Sequence, residues 1–275
     1  MLTDYHVHLR PDDLDADFDR YMTAANAGRY RAAADAAGIG ELGVSEHIHR
    51  FTDALRIWDH PFWKLNARDD LGRYCEFVRG ETDLKLGIEM DFVPGREDRI
   101  AAVLDDHQWD YVIGAVHFVG QAALDWEDYD VWRECSSPEQ VWKEYFSTLA
   151  EAARSGLYDV MAHPDLVKYW GRKHPLPEGD PRFYYEPAVA AFADAGVAVE
   201  ISTAGLRKPV GEIYPAPAFI EMCVDAGLDF SLSSDAHEAI DVGHGYEVAT
   251  ELMGGLGIDR LCVFDGRERR LEPVG

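Results

Sequence analysis

Two histidines separated by one residue, His6 and His8 in "DYHVH", are the first residues whose spacing suggests chemistry. On a strand, residues i and i+2 project to the same side, so both imidazoles can meet one object, and a metal ion is the obvious one. The same polar ending recurs along the chain. Short apolar runs finish in Glu46 and His47 ("ELGVSEH"), Glu89 ("LKLGIEM"), His117 ("DYVIGAVHF"), His163 ("YDVMAHP"), Glu200 ("VAVEIST"), and Asp235 with His237 ("LDFSLSSDAH"). A single histidine at a strand end is commonly a hydrogen-bonded structural residue, and the loop residues His60, His107 and His174 are assigned to that role. Seven runs that all end this way are different, because burying so many ionisable groups without partners costs several kcal/mol each. Imidazole and carboxylate without thiolate select zinc, manganese or iron. The donors outnumber what one ion takes, so two or three divalent ions sharing a bridging carboxylate are expected.

Such convergence demands a scaffold that brings distant strand ends together. Between the apolar runs lie Ala-rich amphipathic segments, "RYMTAANAGRYRAAADAAG", "PEQVWKEYFSTLAEAARSG", "YEPAVAAFADAG" and "APAFIEMCVDAG", closing on the glycine that commonly caps a helix C-terminus. Regular alternation of strand and helix, with strands apolar throughout their bodies, implies a parallel sheet covered by helices. Seven or so units favour a closed α/β barrel, in which all C-terminal strand ends share one face. A weaker strand-like run, "RLCVF", follows near the C-terminus. No Ser/Gly linker, low-complexity tract or repeat divides the 275 residues, so one barrel domain over 1–275 is expected.

Composition excludes several function classes. Lys and Arg total 26 against 51 Asp and Glu, a formal net charge of -25 that repels polyphosphate backbones and argues against nucleic-acid binding; a salty cytoplasm would also favour such acidity. No apolar stretch of about 18 residues and no basic, apolar leader is present, which predicts a cytoplasmic protein without a membrane span. Cys75, Cys135, Cys223 and Cys262 form no C-x-x-C pair and read as buried, reduced thiols.

The blocks "DYHVH", "SEH", "GIEM", "AVHF", "MAHPD" and "SSDAH", in this order over residues 1 to about 265, resemble the signature of the polymerase and histidinol phosphatase (PHP) superfamily of metal-dependent phosphoesterases. Within it, "VEISTAGLRKP" is similar to the "E-x-N-T-S-G-L-R-K" block of the monofunctional histidinol-phosphate phosphatases, departing at Ser202 and Ala204. The resemblance implies a distorted (β/α)7 TIM-like barrel with its metal cluster at the C-terminal strand ends. It makes His6, His8, Glu89 and Asp235 ligands of a first ion, with Glu89 bridging to a second held by His117 and His163. His47 and His237 match the ligands of a third, which Asp12, Asp13 or Asp15 would complete. Asp4 and Glu46 are expected to orient ligand imidazoles from behind.

The implied reaction is hydrolysis of a phosphate monoester, L-histidinol phosphate foremost, by a hydroxide bridging the ions. Asp235 and His237 are the catalytic candidates, His237 standing near the leaving oxygen, and Arg207 and Lys208 are the candidate phosphate-binding cations. Arg207 is favoured because a guanidinium can hold two phosphate oxygens in parallel. The partner is thus a small phosphate ester; a nucleotide or sugar phosphate, or a non-catalytic role in binding metal or phosphate, is the alternative, and oligomeric state is not written in these residues. The aromatic insert "HRFTDALRIWDHPFWK" after His47 is expected to pack as a long loop rather than to wall the site, and His49 and His244 are left outside it.

Overall fold

The computed structural model describes residues 1–134, 137–174 and 176–274. In chain order the apolar runs become strands β1 (Leu2–Asp4), β2 (Ile39–Val44), β3 (Lys85–Asp91) and β4 (Tyr111–Ala115). A short hairpin follows, β5 (Phe118–Val119) with β6 (Ala122–Ala123), then β7 (Val160–Met161), β8 (Ala198–Ser202) and β9 (Phe230–Ser233). The last pair is β10 (Arg260–Asp265) and β11 (Glu268–Pro273).

Seven strands form one parallel sheet in the order β1-β2-β3-β4-β7-β8-β9. Its two edges meet just past the strand ends. Val7 lies parallel to Ala236, and the His8 N–H donates to the Ala236 carbonyl at 2.8 Å. The Asp4 carboxylate adds a second tie, accepting from the Ser234 N–H at 3.1 Å and its hydroxyl at 2.5 Å. The sheet is therefore a nearly closed barrel. Helices follow most strands, and their ends obey local chemistry: Thr23 caps Ala24–Ala36 by accepting from the Asn26 N–H, and Gly196, at φ 66°, ends Arg182–Ala195 in the left-handed conformation that favours glycine.

Aromatic packing seals the N-terminal end of the barrel. The Tyr5 ring lies 4.8 Å from Tyr111 and 5.4 Å from Phe264, and the Tyr111 hydroxyl donates to the Tyr5 carbonyl at 2.6 Å. Gly43 and Gly87 make room for that plug, since a Cβ on either would lie 2.3 or 2.2 Å from Tyr111 atoms. The weak run "RLCVF" is β10, antiparallel to β11 and outside the barrel sheet; it places Phe264 and Cys262 in the apolar cluster beneath. Cys75, Cys223 and Cys262 are buried free thiols, whereas Cys135 falls outside the described residues. With one end sealed by apolar side chains, the polar strand ends gather at the other. No helix among the described residues is long and apolar enough to cross a membrane.

Candidate metal centre

All eight residues expected to bind metal gather on that C-terminal face. Four overlapping groups have ligand atoms within 4.8 Å of one another: His6, His8 and Asp235; His6, Glu89 and His163; His47, Glu89 and His117; His8, His47 and His237. Glu89, the fifth residue of the seven in β3, stands between them with its two oxygens turned to different neighbours. Oε2 lies 3.2 Å from His6 Nε2, 3.5 Å from His8 Nε2, and against His47 Nδ1. Oε1 lies 3.1 Å from His163 Nε2 and 3.4 Å from His117 Nε2. Asp235 Oδ1 completes the other side, 3.6 Å from His6 Nε2 and 3.4 Å from His8 Nε2.

These atoms fit divalent ions better than they fit one another. His6 Nε2, His8 Nε2, His47 Nδ1, Glu89 Oε2 and Asp235 Oδ1 are all buried without a hydrogen-bond partner. Leaving a buried polar atom unsatisfied costs about 1–3 kcal/mol, and five such atoms facing a common centre are satisfied together by cations. Backbone conformation points the same way. His163 (φ 25°) and Asp235 (φ 49°) both sit in the left-handed region, where non-glycine residues persist only when their surroundings hold them.

Carboxylates behind the imidazoles fix their direction. His6 Nδ1 bonds Glu200 Oε1 at 2.8 Å; the same oxygen accepts from the Ser233 hydroxyl at 2.7 Å, while Oε2 accepts from the His163 N–H at 2.6 Å. His117 Nδ1 bonds Asp91 Oδ1 at 2.7 Å. With Nδ1 so engaged, both rings direct Nε2 to the centre. The roles expected of Asp4 and Glu46 are corrected here. Asp4 bonds Ser234, not an imidazole, and so braces the loop that carries Asp235. Glu46 accepts from the Leu9 N–H at 2.7 Å, the Arg10 N–H at 3.2 Å and Arg50; its 3.9 Å approach to His8 Nδ1 is too long for a hydrogen bond. Asp91 escaped the sequence reading although it lies two residues past Glu89 on one strand, the spacing that places both on one face.

The electrostatics reflect this crowding of opposite charges. Burial opposes protonation of His6, but Glu200, Glu89 and Asp235 outweigh it and hold the imidazole well above its ordinary range. Burial likewise opposes the charge on Glu89, yet His47, His6 and His117 hold its carboxyl well below the usual range. His8, buried and beside His237 and His47, is held low.

The stretch "RPDDLDAD" resolves into a single residue facing the site. Asp12 Oδ2 lies 3.0 Å from His237 Nε2, and Oδ1 lies 3.7 Å from His47 Nε2 and 2.5 Å from Arg50 Nη2. Asp13 instead accepts from the Asp15 N–H at 2.9 Å. Of the two candidate cations, Arg207 gives Nη2 to the Ser234 carbonyl at 2.8 Å and the Asp235 carbonyl at 3.0 Å, leaving Nη1 buried without a partner. The Lys208 ammonium has no hydrogen bond or ion pair among the described residues, lies 5.8 Å from the Tyr169 ring centre, and feels Asp235 and Asp12.

Loop histidines divide as expected, with one exception. His60 stacks on Trp58, His107 meets Trp109 and His174 stacks on Trp132. His244 is exposed. His49, however, stacks 4.7 Å from His47 and lines a cavity that opens beside His47 and His117. The aromatic insert has both roles: Trp58 and Trp63 are buried in the core, while Phe62 faces this cavity with Phe118 and Trp126.

Comparison with known proteins places this geometry. The PHP domain family model matches residues 17–204. A protein named probable histidinol-phosphatase from Deinococcus radiodurans is 34% identical over 251 residues, spanning 89% of this chain and 91% of that one. The histidinol-phosphatase of Bacillus subtilis is 26% identical, over 81% of this chain and 91% of its own. Among solved structures, histidinol phosphate phosphatase from Lactococcus lactis subsp. lactis, crystallised with zinc, L-histidinol and phosphate, superposes with a TM-score of 0.72 at 19% identity, over 98% of both chains.

Proposed function

This chain belongs to the PHP domain family, and on that premise we propose that it is a metal-dependent phosphatase whose substrate is L-histidinol phosphate. The observation that carries the reading is the sharing of Glu89 between two His-carboxylate groups at the strand ends, an arrangement suited to more than one ion. The 34% identical relative bearing the histidinol-phosphatase name supports the choice of ester. One barrel domain over 1–275 carries the activity.

In this reading His6, His8, Glu89 and Asp235 hold one divalent ion and Glu89, His117 and His163 a second, while His47, His237 and Asp12 hold a third. Zinc, manganese and iron suit these donors. Bound there, such ions supply hydroxide at neutral pH and offset the charge gathering on the phosphoryl oxygens. The protein's own groups do the rest. Lys208, whose ammonium makes no hydrogen bond or ion pair among the described residues, draws the phosphate dianion into a strongly acidic molecule. Arg207 braces the Asp235 loop and keeps Nη1 for the same phosphate. Burial disfavours charge on His237, but Asp12 and Asp235 raise its affinity for a proton; without the third ion its Nε2 would protonate the leaving alkoxide, a role it gives up when that ion is bound.

Phosphate release from histidinol phosphate, compared with nucleotide and sugar monophosphates before and after chelation, tests this reading. Histidinol phosphate is expected to be hydrolysed fastest, with activity lost on chelation and restored by zinc, manganese or iron. Equal turnover of all esters, or activity indifferent to chelation, contradicts it.

A further inference from the structure

The cavity beside His47 and His117 is walled by rings, with Phe62 5.7 Å from Phe118 and 5.1 Å from Trp126, a shape that receives a flat, partly apolar group. Three carboxylates also line it. Asp12 is engaged by Arg50 and His237, and Asp13 by the Asp15 N–H. Asp125 is half-buried and makes no hydrogen bond or ion pair among the described residues. It lies just after β6, near enough to the centre for its charge to reach both His117 and Lys208. A free carboxylate beside a phosphate site repels the substrate it should attract, unless that substrate also carries a cation.

We propose that Asp125 receives a primary ammonium on the substrate, so that the cavity selects phosphate esters with an amine next to the ester-bearing carbon over amine-free esters of the same shape. The assignment rests on the phosphomonoesterase reading above. Lys208, beyond the cavity wall but within reach of the charges on Asp235, Asp12 and Asp125, takes the phosphate end and Asp125 the ammonium end, a polarity matched to a zwitterion and opposed to nucleotides and sugar phosphates. Charge-assisted hydrogen bonds of this kind contribute on the order of 10- to 100-fold in affinity.

The test is a ratio: kcat/KM for histidinol phosphate over that for its deaminated analogue, in which hydrogen replaces the ammonium. Wild type should prefer the amine strongly. Asp125→Asn and Asp125→Ser should each cut the ratio about 10- to 100-fold, and Asp125→Glu should recover part of it, with metal content per chain checked for every variant. A ratio unchanged in both variants overturns the assignment, as does a parallel fall on both esters. If wild type hydrolyses simple esters but not histidinol phosphate, the functional reading fails separately. The ratio for 2-aminoethyl phosphate over ethyl phosphate then decides Asp125 by the same criterion.

Discussion

At the scale of the residue, the site is a set of groups held in protonation states that an ion must change. His117 shows this most plainly. Burial works against its charge, but Asp91 and Glu89 outweigh burial and raise it from 6.5 to about 10 in the ion-free protein. A group raised on folding contributes stability that is complete below its unfolded value and is lost as pH climbs through the folded one. Protein stripped of ions should therefore melt at progressively lower temperature between about pH 6.5 and 10. With ions bound, the ligand imidazoles are already neutral, and this slope should be absent from the loaded form. Thermal unfolding of both forms across that range checks the point; identical slopes would contradict it.

At the scale of the element, β3 does two jobs at once. Its end carries Glu89 and Asp91 to the centre, while Gly87 near its middle leaves room for the Tyr111 ring that seals the barrel below. Gly87→Ala drives a Cβ to 2.2 Å from that ring, and overpacking of this kind costs about 1–3 kcal/mol, readable as a lower denaturant midpoint. Pairing it with Tyr111→Leu should return part of the loss; an unaffected midpoint in the single variant would mean that the ring does not fill this space. The strand ends were legible in the sequence because each apolar run stops at an ionisable residue, and parallel strands make such stops converge. What was not legible lay between elements. Glu200 ends its run as visibly as Glu89, yet only the barrel's curvature turns it behind His6 and the His163 backbone instead of toward the ions. Asp12 could be separated from Asp13 and Asp15 only once the loop's path and Arg50 were known. Arg207 looked like the better phosphate clamp by type, but two carbonyls of the Asp235 loop occupy one of its nitrogens. "RLCVF" has strand propensity without the polar ending, and it lies outside the parallel sheet.

At the scale of the whole molecule, a chain with a net charge of -25 concentrates its histidines where they meet carboxylates, so local electrostatics at the barrel mouth runs against the global field. The account depends on that mouth holding a cluster of cations. Anomalous diffraction from crystals of the purified protein, measured at the zinc, manganese and iron edges, tests this most directly. Two or three peaks are predicted, two of them flanking Glu89 and bounded by His6, His8, His117, His163 and Asp235. Crystals of active enzyme with no anomalous peak in coordinating reach of Glu89 would contradict the central claim.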